Sequence, residues 1–279
     1  MRKLALAASE HKAARLALTA CLIAGVCLCV FTMFLMTVEY DEAWIVASTG
    51  RLINPDLHPE VVTVFTTGGA YSLIVGFAEL LGLPLIITGR ALAFASLIGI
   101  LCLIGRRALE ERLFVLVMAL AAPGTLTLGA MAYGVAPATF AFLGAVAAWE
   151  TLAEKRMLRV IASGMLLGVA MATRLTFIPV LPVFLIWSLL NLKNPKASIV
   201  AGAGSMAVAL LVCSGCLIVQ CTLANNGELD LNAVLQNNLS STGAGGTLPA
   251  AASLVSFLVK GSLLAPVVLV ALVLAIAWG

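Results

Sequence analysis

Repeated apolar stretches of about 20 residues run through this chain, the length that carries an α-helix across the hydrocarbon layer of a bilayer. Hydrophobic residues make up 62% of the sequence and charged ones 10%, and the mean hydropathy is +1.12. An all-α polytopic membrane protein is the expected fold class. The net charge of +3 is small and scattered, which excludes nucleic acid as a partner. Seven cysteines lie inside apolar spans, where Cys behaves as a small hydrophobe. Cys213 and Cys216 have C-x-x-C spacing but no accompanying pair or His, so no metal site is expected there.

Charge orients the spans. Lys and Arg gather on the cytoplasmic side of short loops. Most of the sixteen here fall in four clusters: Arg2, Lys3, Lys12 and Arg15; Arg106, Arg107 and Arg112; Lys155, Arg156 and Arg159; Lys193 and Lys196. Placing every cluster inside requires an even number of crossings between neighbours. About eight spans satisfy this: 16–38, 84–105, 113–130, 134–151, 158–173, 177–192, 198–222 and 251–278. The run 16–38 is too long for a cleaved signal sequence and lacks a small-x-small site. Segment 68–83 is short, starts Gly-rich and carries Glu79. As a span it would put Arg106 and Arg107 outside, so it reads as an interfacial or re-entrant helix, with three crossings in that interval as the alternative. The outer side then receives residues 39–83, the uncharged 124–133 turn and residues 223–250. The last of these holds Glu228, Asp230 and a Gly-rich stretch at 240–246 of loop composition. The whole reads as a single transmembrane domain, 1–279, without repeats or a soluble domain.

Carboxylates are scarce, and two of them, Asp41 and Glu42, fall where the first span emerges into water. Either they cap an external helix, as acidic groups at an N-terminus do, or they perform chemistry at the membrane surface. Four cations stand apart from the clusters: Arg51, Arg90, Arg174 and Lys260. In this topology all four lie in the outer half of the membrane or just above it. Arg90, some six residues into its span, is roughly 9 Å deep. Arg90 and Arg174 either snorkel to lipid phosphates or join a shared anion site facing the carboxylates of the first loop. Guanidinium and ammonium groups at that depth suit a phosphate whose lipid tail lies in the bilayer.

In this order the features resemble the GT-C membrane glycosyltransferases, in the branch of the protein O-mannosyltransferases and aminoarabinose lipid A transferases. The run Tyr40-Asp41-Glu42-Ala43-Trp44, continuing to Gly50-Arg51-Leu52, is similar to that family's Asp-Glu motif and the juxtamembrane helix after it. Residues 70–83, opening Ala70-Tyr71-Ser72-Leu73, resemble its second amphipathic helix. Arg90 to Arg107 resembles its next span, and Thr173-Arg174-Leu175-Thr176 before Pro179 a recurring segment. The resemblance covers most of residues 16–192. Two departures stand out. Gly68-Gly69-Ala70 replaces the family's Pro-Pro-Leu, and an Asp-x-His-Pro element, Asp56-Leu57-His58-Pro59, precedes the helix by about ten residues. Family members are also generally longer, so the chain, ending in an apolar run at Gly279, reads as a truncated or fragmentary member.

The resemblance implies transfer of a sugar from a polyprenyl-phosphate-linked donor to a lipid, glycan or protein acceptor, with inversion, on the periplasmic face of an inner membrane. It implies Asp41 as general base and Glu42 as the group that positions it or the acceptor. Arg51, Arg90, Arg174 and Lys260 become candidates for the donor phosphate, and His58 and Tyr71 further site residues. His58 is a second proton acceptor or a turn residue before Pro59. Phosphate is a weakly basic leaving group, so one base and one cationic cradle suffice. Some relatives use a divalent cation, but none is expected to bind tightly here. The competing readings are a multi-pass transporter, for which Lys260, Gly261 and Pro266 speak, and a non-catalytic membrane subunit.

Overall fold

The computed structural model of the chain describes residues 12–35, 42–43, 49, 69–107, 112–121, 125–190 and 195–224. Among these residues every regular element is helical. In chain order they are α1 (Lys12–Leu35), α2 (Gly69–Leu80), α3 (Leu85–Arg107), α4 (Arg112–Ala121), α5 (Thr125–Ala130), α6 (Val135–Thr151), α7 (Arg156–Thr173), a 3-10 turn (Leu175–Phe177), α8 (Val180–Leu190) and α9 (Pro195–Ala224). Four stretches, Ala14–Leu35, Leu85–Arg106, Arg156–Thr173 and Ile199–Gln220, are long and apolar enough to cross a bilayer. The chain is therefore a membrane protein, all-helical among the described residues. The expected last span, 251–278, and the loop 225–250 lie outside the described residues.

Of segment 113–130, expected as one span, α4 covers 113–121 and α5 covers 125–130, and residues 122–124 lie outside the described residues. Helix α2 has 12 residues and so extends only about 18 Å, short of the roughly 30 Å hydrocarbon core. One of its faces, with Tyr71, Ser72 and Val75, is buried, while Ile74, Phe77 and Leu80 stay exposed.

Lipid offers helices little hydrophobic reason to associate, so close packing has to supply it. Helix α7 shows how. It lies between α6 and α9, and Gly164 and Gly168 leave notches on the α9 side. A Cβ on Gly168 would stand 2.6 Å from Val212 Cβ and 2.8 Å from the Ala209 carbonyl. One on Gly164 would meet Val208 Cβ at 2.6 Å and the Ser205 carbonyl at 2.7 Å. Beside these notches the Ser163 and Ser205 hydroxyls meet at 2.9 Å, fully buried. A second cluster joins α1, α3, α4 and α5 around Cys29, Leu97, Leu101, Leu116 and Leu120, and α3 connects it to α6. Elsewhere Thr hydroxyls return to their own helices: Thr19, Thr32, Thr139 and Thr151 each donate to the carbonyl four residues back. Leu16, Ile23, Leu28, Phe31, Phe34 and Leu35 of α1 stay exposed, an apolar surface suited to lipid.

Candidate functional site

The site forms where the C-terminal end of α1, the first turns of α3 and the turn 131–134 between α5 and α6 converge. Arg90, in the second turn of α3, is 4% exposed, and Glu42 is fully buried. Their contact is two-pronged: Arg90 Nε donates to Glu42 Oε1 at 2.8 Å and Nη2 to Oε2 at 2.6 Å. This fork-on-fork geometry is the strong form of the ion pair. The remaining guanidinium nitrogen, Nη1, donates to the Met33 carbonyl at 2.7 Å. Met33 lies in α1, two residues before Leu35. Glu42 Oε1 also accepts the Ala132 backbone N–H at 2.9 Å. One charge pair thus ties together two long apolar helices, Glu42 seven positions beyond Leu35, and a distant turn.

That turn is held from its other side as well. Arg174, extended at the end of α7 with φ −150° and ψ 113°, donates Nη1 to the Tyr133 carbonyl at 2.6 Å. Carboxylate and guanidinium therefore grip neighbouring residues, one by the N–H and the other by the C=O. Gly134 completes the turn at φ 71°, a left-handed conformation in which a side chain is strained. The Tyr133 N–H closes back on the Met131 carbonyl at 2.9 Å.

Tyr71 packs into the same corner. It is 1% exposed, and its hydroxyl makes no hydrogen bond. Burial first, and the nearby Glu42 charge second, push this phenol above its ordinary range. Gly89 makes the arrangement possible: a Cβ there would lie 2.6 Å from Ala132 Cβ and 2.7 Å from the Tyr71 hydroxyl. The sequence Gly89-Arg90 therefore does two jobs, bringing α3 close and reaching across to Glu42. Thr49 is buried with its hydroxyl 3.5 Å from Ser72 Oγ, a contact at the outer limit of hydrogen bonding.

Of the residues singled out from sequence, Glu42, Arg90, Tyr71 and Arg174 come together around the 131–134 turn. Asp41, Arg51, His58 and Lys260 lie outside the described residues. Arg90, expected on a lipid phosphate, has all three nitrogens engaged by Glu42 and Met33. Both oxygens of Glu42 accept from donors, a geometry that anchors the carboxylate. Ala132, Tyr133 and Met33 escaped the sequence reading because they act through backbone groups. Gly89 left a trace, a glycine next to an intramembrane arginine. Among the described residues no three His, Cys, Asp or Glu side chains form a metal-ligand group. No protein-family model matches the sequence, and neither a curated protein nor a solved structure does.

Proposed function

We propose that this chain is a GT-C-type membrane glycosyltransferase that moves a sugar from a polyprenyl-phosphate-linked donor to an acceptor hydroxyl on the outer face of an inner membrane. The observation that supports the reading most is the buried Glu42–Arg90 pair. It fastens the acidic dipeptide after the first long apolar helix to the start of the next one. Asp41 is the residue next to this anchor in the sequence.

In this reading Asp41 takes the proton from the acceptor hydroxyl as the oxygen attacks the anomeric carbon. The bond from that carbon to the phosphate oxygen breaks, and the lipid phosphate leaves with the electron pair. The configuration inverts, and cations balance the charge that develops on the phosphate. Arg174, at the 131–134 turn, is assigned to that role with Arg51 and Lys260. Glu42 and Arg90 are positioning residues. A divalent cation is admissible next to Asp41 but is not needed by this scheme. The other reading of the chain is a multi-pass transporter, which would carry a solute without forming a glycosylated product.

The test is sugar transfer by the full chain in proteoliposomes, with a panel of labelled polyprenyl-phosphate sugars. Asp41→Asn should lower the rate about 10²–10⁴-fold while leaving the protein folded. A folded wild type that transfers nothing from any donor, or an undiminished Asp41→Asn rate, overturns the reading. Solute flux without a glycosylated product would establish the transporter.

A further inference from the structure

Arg159 and Trp149 sit at the far end of α7, and the proposed reaction does not use them. Arg159 lies 15 residues before Arg174, which puts it about 22 Å away along the helix axis. Arg159 is 5% exposed and Trp149 2%. The guanidinium carbon stands 5.2 Å from the centre of the indole ring, a cation–π contact. Among the described residues neither Arg159 Nε nor Trp149 Nε1 has a hydrogen-bond partner, and the guanidinium forms no ion pair. A buried cation ordinarily has an anion beside it, and a buried N–H ordinarily has an acceptor. Here two adjacent donors, one of them charged, lack both.

The surroundings indicate what completes them. Lys155 and Arg156, four and three residues earlier, lie on the same helical stripe and are exposed. Met157 and Leu158 at this end are exposed too, and offer apolar surface to acyl chains. The carboxylates of the α6–α7 junction, Glu150 and Glu154, are exposed. By the positive-inside rule this basic end faces the cytoplasmic leaflet, where anionic lipids concentrate. The geometry points to a binding site for the phosphate diester of an anionic phospholipid at the α6–α7 junction. Both nitrogens are closed off in the free protein, so the two side chains turn outward to admit the phosphate, which then accepts from Arg159 Nε and Trp149 Nε1 with Lys155 and Arg156 flanking it.

The test needs no sugar donor, so it stands or falls apart from the glycosyltransferase reading. The full chain in neutral detergent is titrated with short-chain phosphatidylglycerol, matched phosphatidylcholine or inorganic phosphate, and its thermal unfolding is followed. Phosphatidylglycerol at a hundred times its dissociation constant should raise Tm by roughly 5–10 °C. Phosphatidylcholine and inorganic phosphate should leave it unchanged. Arg159→Gln should abolish the shift. Trp149→Phe, which keeps the ring and removes only the N–H, should weaken binding about tenfold. Equal stabilisation by phosphatidylcholine, or by phosphate alone, overturns the lipid site. So does a full phosphatidylglycerol shift in Trp149→Phe, the variant that decides if Arg159→Gln does not fold.

Discussion

Removing either member of the Glu42–Arg90 pair should destabilise the fold by about 3–5 kcal/mol, because the partner is left charged and buried. The geometry accounts for that size. At an effective dielectric constant near 20, two unit charges about 4 Å apart attract by roughly 4 kcal/mol. Glu42→Gln also weakens the hold on the Ala132 N–H, and Arg90→Gln weakens the one on the Met33 carbonyl. At about 2–4 °C per kcal/mol for chains approaching this size, each single variant should lose roughly 6–20 °C in Tm. The double variant should fall short of the sum by at least about 1.5 kcal/mol, since the second change removes the orphaned charge. Reversing the pair, Glu42→Arg with Arg90→Glu, should not rescue stability. The Ala132 N–H would then face a guanidinium and the Met33 carbonyl a carboxylate, two buried mismatches of about 1–3 kcal/mol each. Thermal or denaturant unfolding in one detergent, run as a double-variant cycle, measures all four. Additive single effects below about 1 kcal/mol, or full recovery in the reversed pair, would refute the reasoning.

Three further outcomes follow from named contacts. Gly89→Ala should cost about 1–3 kcal/mol, because its Cβ collides with Ala132 and the Tyr71 hydroxyl, and combining it with Tyr71→Phe should recover part of the loss in the same unfolding assay. Tyr71→Phe alone should hold or gain about 1 kcal/mol, since it removes a buried hydroxyl without a partner. Because that phenol titrates higher folded than unfolded, the wild type should lose stability as pH rises past about 10, and Tyr71→Phe should lose less. Gly168→Val should part α7 from α9 and lower the unfolding midpoint by the equivalent of about 1–3 kcal/mol, with partial rescue by Val212→Ala.

The apolar runs made most helices legible, since length and hydropathy decide what lipid accepts. The residues that meet at the site were also visible one by one, as charges out of place in an apolar chain. Their pairing was not. Glu42 and Arg90 are separated by 48 positions, and each has a plausible partner in water or lipid, so nothing local selects one for the other. The 131–134 turn was hidden for a different reason: it takes part through an N–H and a C=O, which every residue carries.

The notches along α7 set how that helix can move. Val208 and Val212 occupy the spaces over Gly164 and Gly168, one helical turn apart. Sliding α7 along α9 lifts both valines out of their seats together, and the next seating lies four residues on, about 6 Å away. The helix is therefore indexed like a ratchet and does not drift by fractions of a turn. Arg174 at one end of this rod and Arg159 at the other share that index, so a step that reseated the basic end would carry the 131–134 turn's cation with it.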